Sequence, residues 1–175
     1  ATTAGWYRPA VNRAQMNLLD SHDVPRALHT LSGNTVALKL ALLLLFLQPG
    51  APCIYYGTEA GLAGGPSGKR ATGPGPACRE AFPWDEPWEA NLSSWITELT
   101  NLRRCYTALR DGAKQWAAIG DDGLLGSFAD LQVLINRSVE TSLPIDQTKQ
   151  VIWSSTGDTD AKDLTPQAAC LQRLG

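Results

Sequence analysis

The sequence predicts an α/β chain: a β-α-β unit with a parallel sheet within residues 1–112, then a small antiparallel β domain over residues 113–175. Three observations predict it. Two short β-type runs, at residues 16–20 and 53–56, flank one apolar helical segment with short connections, the pattern of parallel strands joined by a right-handed crossover. A second helical segment carries an apolar stripe at three- and four-residue steps. After Gly112 the runs become short and β-rich, separated by Gly, Asp, Asn, Ser and Pro.

The opening stretch to Arg13 reads as irregular. Met16-Asn17-Leu18-Leu19-Asp20 reads as a short buried strand that opens onto the polar cluster Ser21-His22-Asp23, with a loop over residues 24–33. Asn34 is a good N-cap for a helix through Val36, Leu38, Leu40, Leu42, Leu43 and Phe46, which Pro49-Gly50 stops. This helix is apolar nearly all round, so it belongs in the core. Its most apolar stretch, residues 41–47, is too short for a bilayer, which needs about 20 residues.

Cys53-Ile54-Tyr55-Tyr56 forms the next strand, closed by Gly57. Residues 57–76 are dense in Gly and Pro and too long for a simple connection, so they form a functional loop or a locally disordered segment. Leu92, Trp95, Leu99, Leu102, Tyr106 and Leu109 define the second helix. Asn91 or Ser93 caps it, Gly112 terminates it, and Glu98, Arg103 and Arg104 fall mostly off the stripe. Runs at 115–119, 124–129, 131–136 and 150–153 supply the β domain, while residues 157–175 are weakly patterned and expected to be partly disordered.

At 43% hydrophobic residues and a formal net charge of −2, the composition fits a globular chain and argues against nucleic acid or an anionic membrane as main partner. Cys53, Cys78, Cys105 and Cys170 match neither a zinc ribbon nor a CxxC redox site, and read as reduced thiols, some of them core filler. The first residues contain no basic region followed by an apolar one, so they do not read as a signal peptide, and without an initiator Met they leave localisation open.

The motifs also line up as a series. Asn17-Leu18-Leu19-Asp20-Ser21-His22-Asp23 is followed by Pro49-Gly50-Ala51-Pro52-Cys53-Ile54-Tyr55-Tyr56-Gly57-Thr58-Glu59. Gly61-Leu62, Gly64-Gly65, Cys78-Arg79 and Phe82-Pro83-Trp84-Asp85 come next. The series closely resembles the α-amylase family of glycoside hydrolases, and within it the branch with neopullulanase, cyclomaltodextrinase and maltogenic amylase. The similarity covers residues 16–112 well and the β domain loosely.

The resemblance implies the last two β/α units of a (β/α)8 TIM barrel followed by a small antiparallel β-sandwich domain. Such barrels place chemistry at the C-terminal ends of their strands, and Asp23 and Glu59 lie just past strand ends. The implied activity is retaining cleavage of α-glucosidic bonds in maltodextrin, cyclodextrin or pullulan-type glucans. By resemblance Asp23 is the carboxylate that stabilises the transition state, and His22 hydrogen-bonds the same sugar. Arg26, Glu59 and Arg79 are the further substrate-binding candidates. For each another role competes: Arg26 as a residue that orients Asp23 or as a loop anchor, Glu59 as a structural partner, Arg79 as a surface cation. Trp84 and Trp88 either stack on sugar rings or pack under the loop.

The implied partner is an α-glucan oligosaccharide. No metal or organic cofactor is implied by the residues present, although some relatives bind calcium through regions absent here. The family's nucleophile and general acid belong to the fourth and fifth strands, and Asp20, Glu59, Glu80, Asp85 and Glu86 do not stand in those contexts. The chain alone is therefore expected to be inactive, and to aggregate or stay molten through its unpaired strand edges. The segment 66–76 is also longer than in related enzymes and lacks the Asp that precedes the Arg there. The competing expectation is a non-catalytic barrel relic that binds glucans or a protein partner.

Overall fold

The computed structural model describes residues 6–64, 76–85, 87–88, 90–113 and 115–174. A short helix α1 (Pro9–Ala14), begun by a proline in its first turn, replaces the irregular opening expected there. Strand β1 (Met16–Asn17) follows, then a one-turn helix α2 (Ala27–Thr30) inside the expected loop. Helix α3 (Thr35–Phe46) leads to strand β2 (Ala51–Pro52), which pairs parallel with β1 as the β-α-β reading requires.

Both strands are shorter than expected, and the second is displaced to residues 51–52. Pro52 has no N–H to give, so the ladder rests on Ala51 N–H to Gln15 O at 2.8 Å and Cys53 N–H to Asn17 O at 2.7 Å. The expected burial of the first strand is corrected too: Met16 is 64% and Leu18 41% exposed. A strand is buried on both faces only when elements cover both, and β1 has β2 as its one partner among the described residues.

Asn34 caps α3 as predicted, its side-chain oxygen accepting from Ala37 N–H at 2.9 Å. Leu38, Leu40, Leu42, Leu43, Leu45 and Phe46 of this helix are all buried. Helix α4 (Ala90–Cys105) packs on it through Leu92, Trp95, Leu99 and Leu102. The helix ends at Cys105, before Gly112; a separate 3-10 turn (Thr107–Asp111) carries Leu109 into the same core.

Arg103 is half-buried instead of lying on an outer face. Its guanidinium donates to the carbonyls of Phe46, of Gln48 at 3.1 Å, of Gly50 at 2.5 Å and of Leu109 at 3.2 Å. It thereby satisfies the carbonyl end that every helix leaves open. Gly50, at φ 95°, is required here: a Cβ would stand 2.4 Å from Gln15 O.

The second half comprises β3 (Gln115–Ile119), β4 (Gly123–Ser127), β5 (Leu131–Asn136), β6 (Leu143–Pro144), β7 (Gln150–Ser154), β8 (Asp163–Leu164) and β9 (Ala168–Arg173). Five form one antiparallel sheet in the order β3-β4-β5-β9-β7, and β6 pairs with β8 in a separate two-stranded ladder. Val133, Ile135, Ala169 and Leu171 face the core shared with α3 and α4. Leu134, Ala168 and Cys170 face a second cluster with Ile145 and Leu164. The expected disorder of residues 157–175 is corrected: that stretch supplies β8 and the inner strand β9. All four cysteines are free. Among the described residues no helix is long and apolar enough to cross a membrane.

Candidate active site

Beyond β1 the chain meets Asp20, which is only 2% exposed. One of its oxygens accepts the Ala27 N–H at 3.0 Å, and the Thr58 hydroxyl donates to both, at 3.0 and 3.1 Å. Asp20 therefore binds the end of β1, the start of α2 and the turn after β2 into one junction. Residues 21–24 then make a tight turn, closed by a bridge between Ser21 and Val24 and by the Asp23 N–H donating to Ser21 Oγ at 3.1 Å. This turn lifts His22 and Asp23 out of the protein, with side chains 59% and 65% exposed.

Asp23 divides its two oxygens. Oδ2 lies 3.1 Å from His22 Nε2, and Oδ1 lies 3.6 Å from Nη2 of Arg79. Arg79 closes a 3-10 turn (Pro76–Arg79) and is delivered by its neighbours. The Tyr55 hydroxyl donates to Cys78 O at 3.2 Å and the Tyr56 hydroxyl to Glu80 O at 2.8 Å. Glu80 Oε1 in turn accepts the Gly64 N–H at 3.0 Å. Burial first, then the neighbouring Tyr56, pushes the Tyr55 phenol above its ordinary pKa, while the charges of Arg26 and Arg79 pull the other way.

Arg26 stands beneath this cluster, not in it. It is 0% exposed, so it has no route to a sugar in this structure, against the expectation of direct contact. Its Nη1 donates to Tyr56 O at 2.5 Å, and its guanidinium lies 4.5 Å from the Tyr55 ring centre and 4.8 Å from that of Tyr56. Its Nε and Nη2 have no hydrogen-bond partner among the described residues, and the two ring faces are the remaining source of attraction. Glu59 is half-buried with Oε2 likewise unpartnered there, and no described contact joins it to His22, Asp23 or Arg79. Trp84 is 76% exposed and lies tilted by 47° against Phe82 at 4.5 Å, while Trp88 meets Phe82 edge-on at 4.8 Å. Most of the long insertion, residues 65–75, lies outside the described residues.

The geometry thus unites His22, Asp23 and Arg79 and leaves Arg26 and Glu59 apart. A carboxylate accepts hydroxyl protons, while imidazole and guanidinium N–H groups donate to hydroxyl oxygens, so the trio can grip neighbouring hydroxyls of one ring. Among the described residues no cluster of His, Cys, Asp or Glu could hold a metal ion. Sequence reasoning missed Asp20 as the junction and Tyr55 and Tyr56 as anchors. The tyrosines bond to carbonyls, which leave no trace in a sequence.

Comparison with known proteins decides the family. A profile described as the α-amylase catalytic domain matches residues 2–114, well over half the chain. The chain belongs to the α-amylase family. It is 37% identical over 180 residues to a cyclomaltodextrinase of Geobacillus thermopakistaniensis, covering 97% of this chain and 29% of that protein. Among solved structures, Ttha1563 of Thermus thermophilus superposes with a TM-score of 0.76 at 33% identity, over 98% of this chain and 38% of its own. A cyclic α-maltosyl-(1→6)-maltose hydrolase of Arthrobacter globiformis, in complex with maltose, gives 0.71 at 28% identity, over 93% and 35%. The chain therefore spans less than two fifths of the length of these α-amylase relatives.

Proposed function

We propose that this chain forms the end of the catalytic barrel (residues 1–112) and the following β-sandwich domain (residues 113–175) of a retaining α-glucan hydrolase. Its bonds would be those of maltodextrin, cyclodextrin or pullulan-type substrates, the classes named for its relatives. The observation that carries this reading is the solvent-facing Asp23, with one oxygen beside His22 and the other beside Arg79.

In the proposed mechanism a nucleophile and a general acid outside these 175 residues break the bond. Asp23 accepts hydrogen bonds from sugar hydroxyls in the same subsite, and its charge opposes the positive charge that builds on the ring. Hydrogen bonds to a charged group are worth about 1.5–3 kcal/mol each. Two that reach full strength only at the transition state supply roughly 10²–10⁴ in rate. Arg79 and His22 flank the carboxylate and donate to the ring's other oxygens.

The test is hydrolysis of maltotriose and β-cyclodextrin by the protein expressed from its own gene. Asp23→Asn is expected to lower kcat/KM by at least about 10²-fold. The 175-residue chain alone is expected to release no sugar above buffer. Activity of Asp23→Asn within twofold of the parent would overturn the assignment.

A further inference from the structure

We propose that Arg26, Tyr55 and Tyr56 form a strut that sets where Arg79 stands against Asp23, and that these three residues act on the sugar site without touching the sugar. The inference rests on the sugar-site reading of His22 and Asp23 and adds three positioning residues to it.

The first argument is one of magnitude. The Arg79–Asp23 contact is 3.6 Å long between side chains 53% and 65% exposed. An exposed pair of this kind gains less than the rotamer entropy an ordered arginine gives up. The ion pair cannot place itself, so something must place the backbone that carries it.

The second argument is where the anchors fall. The two tyrosine hydroxyls take the carbonyls of Cys78 and Glu80, the residues immediately before and after Arg79. Bonds on both sides of one residue fix its backbone and hence the direction in which its side chain leaves.

The third argument is the burial of Arg26. A buried guanidinium with two nitrogens lacking acceptors is costly, and an apolar residue of like volume would pack as well. Arg26 offers what an apolar residue lacks. It clamps both rings, whose centres lie 4.6 Å apart, and takes the Tyr56 carbonyl. The aromatic pair is thereby oriented so that both hydroxyls point at the Arg79 segment.

A double-mutant cycle in the protein expressed from its own gene, with maltotriose as substrate, tests the strut. Tyr56→Phe keeps the ring over Arg26 and removes the bond to Glu80 O along with the hydroxyl that neighbours Tyr55, so the core packing is kept. We expect Tyr56→Phe to cut kcat/KM about fivefold in the parent and by less than about 1.5-fold where Arg79→Ala is already present, with the melting temperature unchanged. A residue with a merely structural role would instead shift the melting temperature, or change the rate equally in both backgrounds. Tyr55→Phe is the second variant and should repeat the pattern. Equal losses in both backgrounds, or none in either, would overturn the strut. If Asp23→Asn and Arg79→Ala themselves leave kcat/KM unchanged, the sugar-site reading has failed, and the strut with it. If those two are impaired while Tyr56→Phe is additive, the strut alone has failed.

Discussion

Asp20 and Asp23 stand three positions apart and are put to opposite uses. Asp20 is buried and accepts from Ala27 N–H and the Thr58 hydroxyl. Removing it would strand both donors away from water, so Asp20→Ala should lower folding stability by about 1.5–3 kcal/mol in urea titration of the protein expressed from its own gene. A loss below about 0.5 kcal/mol would show that the junction is not held by this carboxylate. Asp23 is the reverse case. Its contacts are exposed, and exposed ion pairs add about 0–1 kcal/mol, so its replacement should be felt in function far more than in stability. The sequence marked His22 and Asp23 as an exposed polar cluster because an apolar run ends abruptly in charge, and the structure places both side chains at the surface. The sequence could not reveal that Arg26 is buried. A guanidinium is exposed by default, and the exception depends on two tyrosines 29 and 30 positions away.

The elements that were legible are those with one kind of surface contrast. The apolar helix α3, its Asn34 cap, and the strands β3 and β5 lie where periodicity and turn residues put them. What escaped notice was β9, and the reason is physical. Its alternate residues Ala169 and Leu171 face the helices while Ala168 and Cys170 face the second cluster, so both faces are apolar. A strand covered on both sides shows no alternation between apolar and polar residues. Helix α4 was overextended for a related reason: Leu109 continues the apolar stripe, but from a 3-10 turn. Cys170 reports directly on the placement of β9. Burial pushes its thiol up to about 11, opposed only in part by a hydrogen bond from the backbone of Leu134. Because the folded value lies above the unfolded one, this group's contribution to stability is full below the ordinary thiol range near 8.5 and is lost as pH rises toward 11. Native alkylation at pH 8 followed by mass spectrometry should therefore label exposed Cys105 well before Cys170. Equal rates would mean that β9 is not packed as described.

At the scale of the whole molecule, one core joins the two halves. Leu38, Leu42 and Leu99 of the helices share it with Val133, Ile135 and Leu171 of the sheet. The Trp95 and Trp153 rings meet across that boundary at 5.6 Å, and Trp153 Nε1 donates to Glu98 at 2.7 Å. The opposite end is thinly covered: Met16, Leu18 and Tyr56 are exposed around the two short parallel strands. That end carries His22 and Asp23. If Asp23 serves the transition state, its loss must weaken ligands that resemble that state more than ligands that resemble the product. Affinities for an acarbose-type inhibitor and for maltose should be compared in the protein expressed from its own gene and in its Asp23→Asn variant. The inhibitor should lose at least about 10²-fold in affinity and maltose only a few-fold. Equal losses for both ligands, or none for either, would contradict the role assigned to Asp23.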